Sequence, residues 1–203
     1  MKTTKLPGLH VWHEFQADRG IDFSGYFWAA PAGGVLIDPM PLTNDEIQKV
    51  RDAGGVSWIL VTNAEHMRAA PELKSVFGAQ VLAPTQERER LAEAAGKVDG
   101  WFDTASDLPT ELANGIEIYP LKGGKSPMEP AIYLKSLQAI YFADVVRSHA
   151  SGVLRLLPDE KLKDAGQVAS SLGALAGLPV EAVLLGDGDS IYNGARAALD
   201  TLL

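Results

Sequence analysis

The feature that most constrains this chain is a change of hydrophobic period that recurs along residues 35–102. Short apolar runs alternate there with segments patterned for helices. Alternation of strand and helix calls for a mostly parallel sheet with right-handed crossovers. The run VSWILVT is β-branched or large and apolar almost throughout, as a strand covered on both faces would be. LTNDEIQKVRDAGG predicts a helix capped by Thr43 or Asn44, burying Ile47 and Val50 and ending at Gly54-Gly55. A second helix is expected from Pro71 to Gly78, followed by the strand AQVLAP. TQERERLAEAAGK reads as a charged, exposed helix capped by Thr85, and VDGWF as a short strand.

On either side of this block the pattern differs. Residues 9–15, 23–29 and 35–38 read as strands punctuated by Gly20, Gly25, Pro31, Gly33 and Gly34. GIEIYPL, PAIYLKS and LQAIYFAD predict an antiparallel meander, with Ser136-Leu137-Gln138 as a tight hairpin link. DEKLKDAGQVASSLGALAG reads as one amphipathic helix ended by Gly177. VEAVLLG is a last buried strand, and Asp189-Ser190 is expected to cap a closing helix IYNGARAALDTLL. Two strand-rich portions are each followed by helices, and no linker separates them. The expectation is an α/β fold in one domain over residues 1–203, two sheets packed together with helices outside.

Composition narrows the function. With 18 Lys+Arg against 26 Asp+Glu the formal charge is −8, a poor match for nucleic acid or an anionic membrane surface. The absence of Cys removes disulfides, thiolate nucleophiles and iron–sulfur ligation. Any metal must therefore sit on His and carboxylate ligands. The opening MKTTKLPGLHVWHEF lacks the apolar core of a signal peptide, and no apolar stretch approaches the ~18 residues of a membrane span. A cytoplasmic protein acting on a small molecule is expected, and a homodimer is admissible. No Gly-x-Ser-x-Gly elbow or Walker-type loop occurs.

The chemistry is expected at strand C-termini, where open α/β sheets place their sites. VSWILVT runs into Asn63-Ala64-Glu65-His66, GIEIYPL into the loop bearing Lys125, LQAIYFA into Asp144, and VEAVLLG into Asp187. If these ends converge, Glu65, His66, Lys125, Asp144 and Asp187 share one pocket. One imidazole and three carboxylates would suit a divalent cation. Arg147 and His149 follow Asp144 closely and could meet an anionic substrate. His10 and His13, three apart on a strand, point to opposite sides.

In these segments the chain resembles the metallo-β-lactamase fold superfamily. Val35-Leu36-Ile37-Asp38 looks like the family's early "LID" strand, and IYFAD like the strand that ends in Gly-Asp, with Ala143 for the Gly. LLGDGDSIYNGARAAL looks like the closing Gly-His-Gly turn and helix, with Asp187 at the His position. GGKSP looks like Gly-His-Thr-Pro, with Lys125 at the His position. The family's Thr-His-x-His-x-Asp-His motif can be laid on VTNAEHMR in two registers. Matching the Thr sets Asn63 and Glu65 on the first two His, Met67 on the Asp and Arg68 on the last His. Matching the downstream helix sets Glu65-His66 on the Asp-His pair, Asn63 on the second His and Val61 on the first. The second register is preferred, because it keeps an acid followed by a His and runs on without a gap.

The resemblance implies a four-layer αβ/βα sandwich and a two-metal site of which half is kept. Val61, Asn63 and Lys125 replace one three-His set, which cannot bind a cation. Glu65, His66 and Asp187, with the bridging Asp144, could hold one divalent ion (Zn, Mn, Fe or Mg). A metal-activated water would then hydrolyse substrate, with Asp144 or Glu65 orienting it or acting as base. Lys125 would stabilise an oxyanion, and Asn63, Arg147 and His149 would contact substrate. The alternative is a metal-free, non-catalytic descendant in which Lys125 and its acids form an ionic cluster. It would act as a small-molecule binding module or scaffold.

Overall fold

The computed structural model describes residues 1–18 and 20–203, and their side chains except at 94–96. The chain divides into two compact units, Met1–Phe102 and Asp103–Leu203.

The first unit is a seven-stranded sheet laid out in chain order: β1 (Lys2–Thr3), β2 (Leu9–Gln16), β3 (Ile21–Trp28), β4 (Val35–Ile37), β5 (Trp58–Leu60), β6 (Gln80–Pro84) and β7 (Gly100–Phe102). The first four strands pair antiparallel and β4 to β7 pair parallel. Helices α1 (Asn44–Asp52) and α2 (Ala70–Phe77) make two of the crossovers. Thr43 and Glu46 close a capping box on α1. Gly78, at φ +69°, ends α2 in the left-handed conformation expected of a C-terminal glycine. Leu36, Ile59, Val61 and Val81 of the sheet form one core with Val50 of α1 and Leu73 of α2.

Residues 85–97 correct the expected exposed helix. They form two 3-10 turns, Thr85–Glu87 and Ala92–Lys97, and Thr85 caps neither. The reason is that two residues of the segment turn inward. Leu91 joins the core, and the fully buried Glu87 accepts hydrogen bonds from the Ala64 N–H and from Arg90, each at 2.8 Å.

The second unit opens with the short helix α3 (Thr110–Ala113) and then carries β8 (Ile116–Leu121), β9 (Glu129–Leu134) and β10 (Ala139–Phe142) as the expected antiparallel meander. Next come β11 (Val146–Ala150) and β12 (Val153–Leu156), a separate two-stranded ribbon. Helix α4 (Ala165–Leu172), strand β13 (Ala182–Leu185) and helix α5 (Arg196–Asp200) complete the unit. The sheet order is β13-β10-β9-β8, with β13 parallel to β10. Ile140, Phe142, Val183 and Leu185 pack with Val168 and Leu172 of α4 and Leu199 of α5.

Two expected helices are shorter than their patterns. Asp164 accepts a hydrogen bond from the Gln167 N–H at 3.0 Å, so α4 starts there rather than at Asp159. Its own N–H and that of Lys163 are donated to the carbonyl of Gly123, which pins the loop bearing Lys125. The closing helix does not start at Asp189-Ser190. Ser190 Oγ accepts from the Leu185 N–H at 3.0 Å, and Ile191 bridges to Val183, so the chain follows β13 before α5 begins. Among the described residues no helix is long and apolar enough to cross a membrane.

Asp99 ties α2 to β6. It lies 2.7 Å from Lys74 Nζ and accepts the Val81 N–H at 2.8 Å. Burial raises its carboxyl, but Lys74 and the Val81 N–H outweigh burial and hold it below the ordinary aspartate range. This contribution is whole above the unfolded value near 3.9 and fades as pH falls through the lower folded value. Because the pair is half exposed to solvent, Asp99→Ala should lower the unfolding free energy at pH 7 by only about 0.5–1 kcal/mol. The difference from the parent should shrink as pH falls below the ordinary aspartate range, as measured by urea unfolding across pH.

Candidate functional site

The candidate residues fall into two groups, one in each unit. In the first unit the turn after β5 carries Asn63, Glu65 and His66. The Asn63 side chain accepts from the Glu65 N–H at 2.9 Å and opens a 3-10 turn, Ala64–His66. That turn carries His66 into the protein, where its Nδ1 lies 2.6 Å from Asp38 Oδ2. Thr62 binds the same carboxylate twice, its hydroxyl donating to Oδ2 at 2.6 Å and its N–H to Oδ1 at 2.8 Å. Arg68 donates to the carbonyls of Ser24 and Asp38, each at 3.0 Å, and its Nη2 stands 3.4 Å from His66 Nε2. An Nδ1–H held by a carboxylate selects one imidazole tautomer and leaves Nε2 as an acceptor. Here that acceptor faces a guanidinium.

The backbone is strained at this point. Asp38 and Arg68 hold φ of +44° and +33°, values that L residues keep only where surrounding contacts over-determine them. The contacts are those just described, with the Arg68 guanidinium also 5.3 Å from the Phe23 ring centroid. Burial raises the Asp38 carboxyl, but His66, Arg68 and Thr62 together outweigh it and hold it below the ordinary range. Glu65, by contrast, is largely exposed and forms an ion pair with Arg90 at 3.2 Å.

In the second unit Phe142 and Leu185 are register partners on the parallel pair β10–β13. Asp144 and Asp187 each follow two residues later, at the C-terminal ends of neighbouring strands. The buried Glu129 accepts the N–H groups of Asp144 and Val145, at 3.0 and 3.1 Å, and fixes the turn that presents Asp144. Lys125 Nζ is 3.9 Å from Asp144 Oδ1. Asp187 is almost fully buried, with Oδ2 3.3 Å from Arg147 Nη2 and Oδ1 3.4 Å from His149 Nε2. Gly188 holds φ +92°, and a Cβ there would meet the Ser148 carbonyl oxygen at 1.8 Å. Only glycine lets this turn lie against β11, where the Asp189 N–H reaches that same carbonyl at 2.8 Å. A cavity of about 410 Å³ opens beside the ribbon, lined by Arg147, His149, Ala150, Arg155, Leu156 and Pro158.

This is a mixed α/β chain with polar side chains gathered at strand ends. The metallo-beta-lactamase superfamily matches residues 1–203, and the chain belongs to that superfamily. Among solved structures it is similar to the metallo-β-lactamase FIM-1 from Pseudomonas aeruginosa in its mono-zinc form. Identity is 14%, coverage 100% of this chain and 93% of that one, and the TM-score 0.73. It is also similar to a metallo-β-lactamase from Pontibacter korlensis, with 16% identity, 100% and 95% coverage and a TM-score of 0.71. One from Hirschia baltica gives 15% identity, 96% and 92% coverage and a TM-score of 0.68. These likenesses establish the metallo-β-lactamase fold. No curated protein matches the chain by sequence.

The donor set of this chain does not fit a divalent cation. Each of the four expected ligands has a basic group within 4 Å. Glu65 has Arg90 at 3.2 Å, and His66 Nε2 has Arg68 at 3.4 Å. Asp144 has Lys125 at 3.9 Å, and Asp187 has Arg147 at 3.3 Å. Among the described residues no group of three or more His, Asp or Glu side chains is disposed around a common point for a metal.

The expected pairing of Lys125 with Asp144 is present, and Arg147 and His149 both meet Asp187. Residue pattern does not single out Asp38 as the partner of His66, nor the roles of Thr62, Arg68, Glu129 and Arg155. Asp38 ends the strand that resembles the "LID" strand, but its positive φ leaves no mark in sequence. Removing the Asp38 carboxylate takes a buried partner from the His66 imidazole, the Thr62 hydroxyl and the Thr62 N–H. Asp38→Ala should therefore destabilise the fold by about 3–5 kcal/mol in equilibrium urea unfolding. Glu65→Ala, on an exposed ion pair, should stay within about 1 kcal/mol of the parent.

Proposed function

We propose that this member of the superfamily works without a bound metal, as a small-molecule binding module. The observation that carries the reading is the guanidinium of Arg147 against Asp187. An Arg side chain stays charged at any accessible pH. A divalent ion about 4 Å from it would be repelled by on the order of 8 kcal/mol at an effective dielectric near 20. That matches the attraction the same ion would draw from one carboxylate at that distance. Lys125 stands in the same relation to Asp144, and Arg90 to Glu65. Charge that a metal would otherwise supply comes from side chains, which leaves Lys125 and Arg147 suited to hold a ligand's anionic group. The family match runs across both units, which supports reading residues 1–203 as a single domain.

Superfamily membership favours a second reading, a hydrolase with one divalent ion on Glu65, His66, Asp144 and Asp187. The two part on metal linkage. A ligand that binds only the native state must raise Tm, by RT ln(1 + [L]/Kd) in free energy. Chelator-treated protein should show no Tm shift with Zn²⁺, Mn²⁺ or Mg²⁺, and should retain only substoichiometric metal after dialysis. Replacing Arg147 and Lys125 together by Met should reverse this, with Mn²⁺ raising Tm of the variant alone. Stoichiometric metal in the parent, lost on His66→Ala, would establish the hydrolase reading instead.

A further inference from the structure

We infer that the β11–β12 ribbon carries a recognition site for a small monocarboxylate with an apolar body. The inference rests on the binding-module reading and names its ligand. Arg147 and Arg155 are direct cross-strand partners in the ribbon. Like charges placed opposite each other destabilise a strand pair unless something lies between or beside them to compensate. Asp187 compensates Arg147. Arg155 is exposed, and among the described residues no acid lies within ion-pair distance of it. Arg147 Nε is a buried donor with no hydrogen-bond partner among the described residues, so this guanidinium has donor capacity to spare.

Both arginines line the cavity of about 410 Å³, together with the half-exposed His149. Its remaining walls are Ala150, Leu156 and Pro158. Pockets of this size, mostly apolar with a few convergent polar groups, suit small organic ligands. Two guanidinium groups less one carboxylate leave a single net positive charge when His149 is neutral. One planar monoanion balances that charge, and the guanidinium fork matches a carboxylate in geometry. A phosphate monoester, at about −1.5 to −2, would overshoot it. The apolar walls ask for a hydrocarbon body behind the acid group.

The test titrates the full chain with hexanoate, hexylamine and inorganic phosphate at constant ionic strength, by calorimetry and thermal shift. Hexanoate should bind saturably and raise Tm, while hexylamine and phosphate should do neither. Arg155→Gln should weaken hexanoate at least about tenfold, as the loss of a charge-assisted hydrogen bond does, while the unliganded Tm holds or rises as the facing like charges are relieved. His149→Gln gives a second, milder probe from the cavity wall. The proposal falls if hexanoate does not bind, if Arg155→Gln binds it as tightly as the parent, or if phosphate or hexylamine binds as well. Metal uptake by the parent would overturn only the metal-free reading. The hexanoate titration against Arg155→Gln would still decide this site.

Discussion

Carboxylates at the ends of buried strands need a positive partner, and in this chain the partners are side chains. Asp187 lies almost fully buried at the end of β13, a place where an unpaired charge could not persist. Arg147 reaches it from the ribbon at 3.3 Å, and the neighbouring strand repeats the arrangement with Lys125 and Asp144. The backbone is built to keep these groups there. Glu129 clamps the turn that presents Asp144, and Gly188 lets the turn after β13 lie against β11. The ionic contacts and the packing are therefore one design rather than two.

The first unit follows the same logic with an imidazole. Asp38 and Thr62 hold His66 by Nδ1, and Arg68 stands at Nε2. Holding Asp38 and Arg68 at positive φ takes free energy from the rest of the fold. That expense is met by the buried hydrogen bonds the two residues make. Such strain is usually kept where side chains must stand in one position, which marks this turn as the part of the first unit under the tightest geometric demand.

The architecture was legible because it rests on periodicity. The parallel strands β4 to β7, the meander β8 to β10 and a cap at Thr43 or Asn44 for α1 all announce themselves in the sequence pattern. The failures have physical causes. TQERERLAEAAGK carries helical charge spacing, but burial of Glu87 and Leu91 breaks it into 3-10 turns. VRSHA is largely polar and VLRL only four residues long, so neither signals a strand and the ribbon that brings Arg155 opposite Arg147 was hidden. Candidate residues at strand ends could be named, since their position follows from the fold. Lys125 could be named for Asp144 through the family resemblance, but the other partners could not, because Asp38 with His66 and Arg147 with Asp187 meet only through tertiary structure.

The most direct measurement is anomalous scattering from a crystal of the full chain grown in millimolar Mn²⁺. A charge-compensated centre predicts no anomalous peak at Asp144 or Asp187, with the Arg147 guanidinium still on the Asp187 carboxylate. A strong peak there, with Arg147 swung away, would contradict the account at its base.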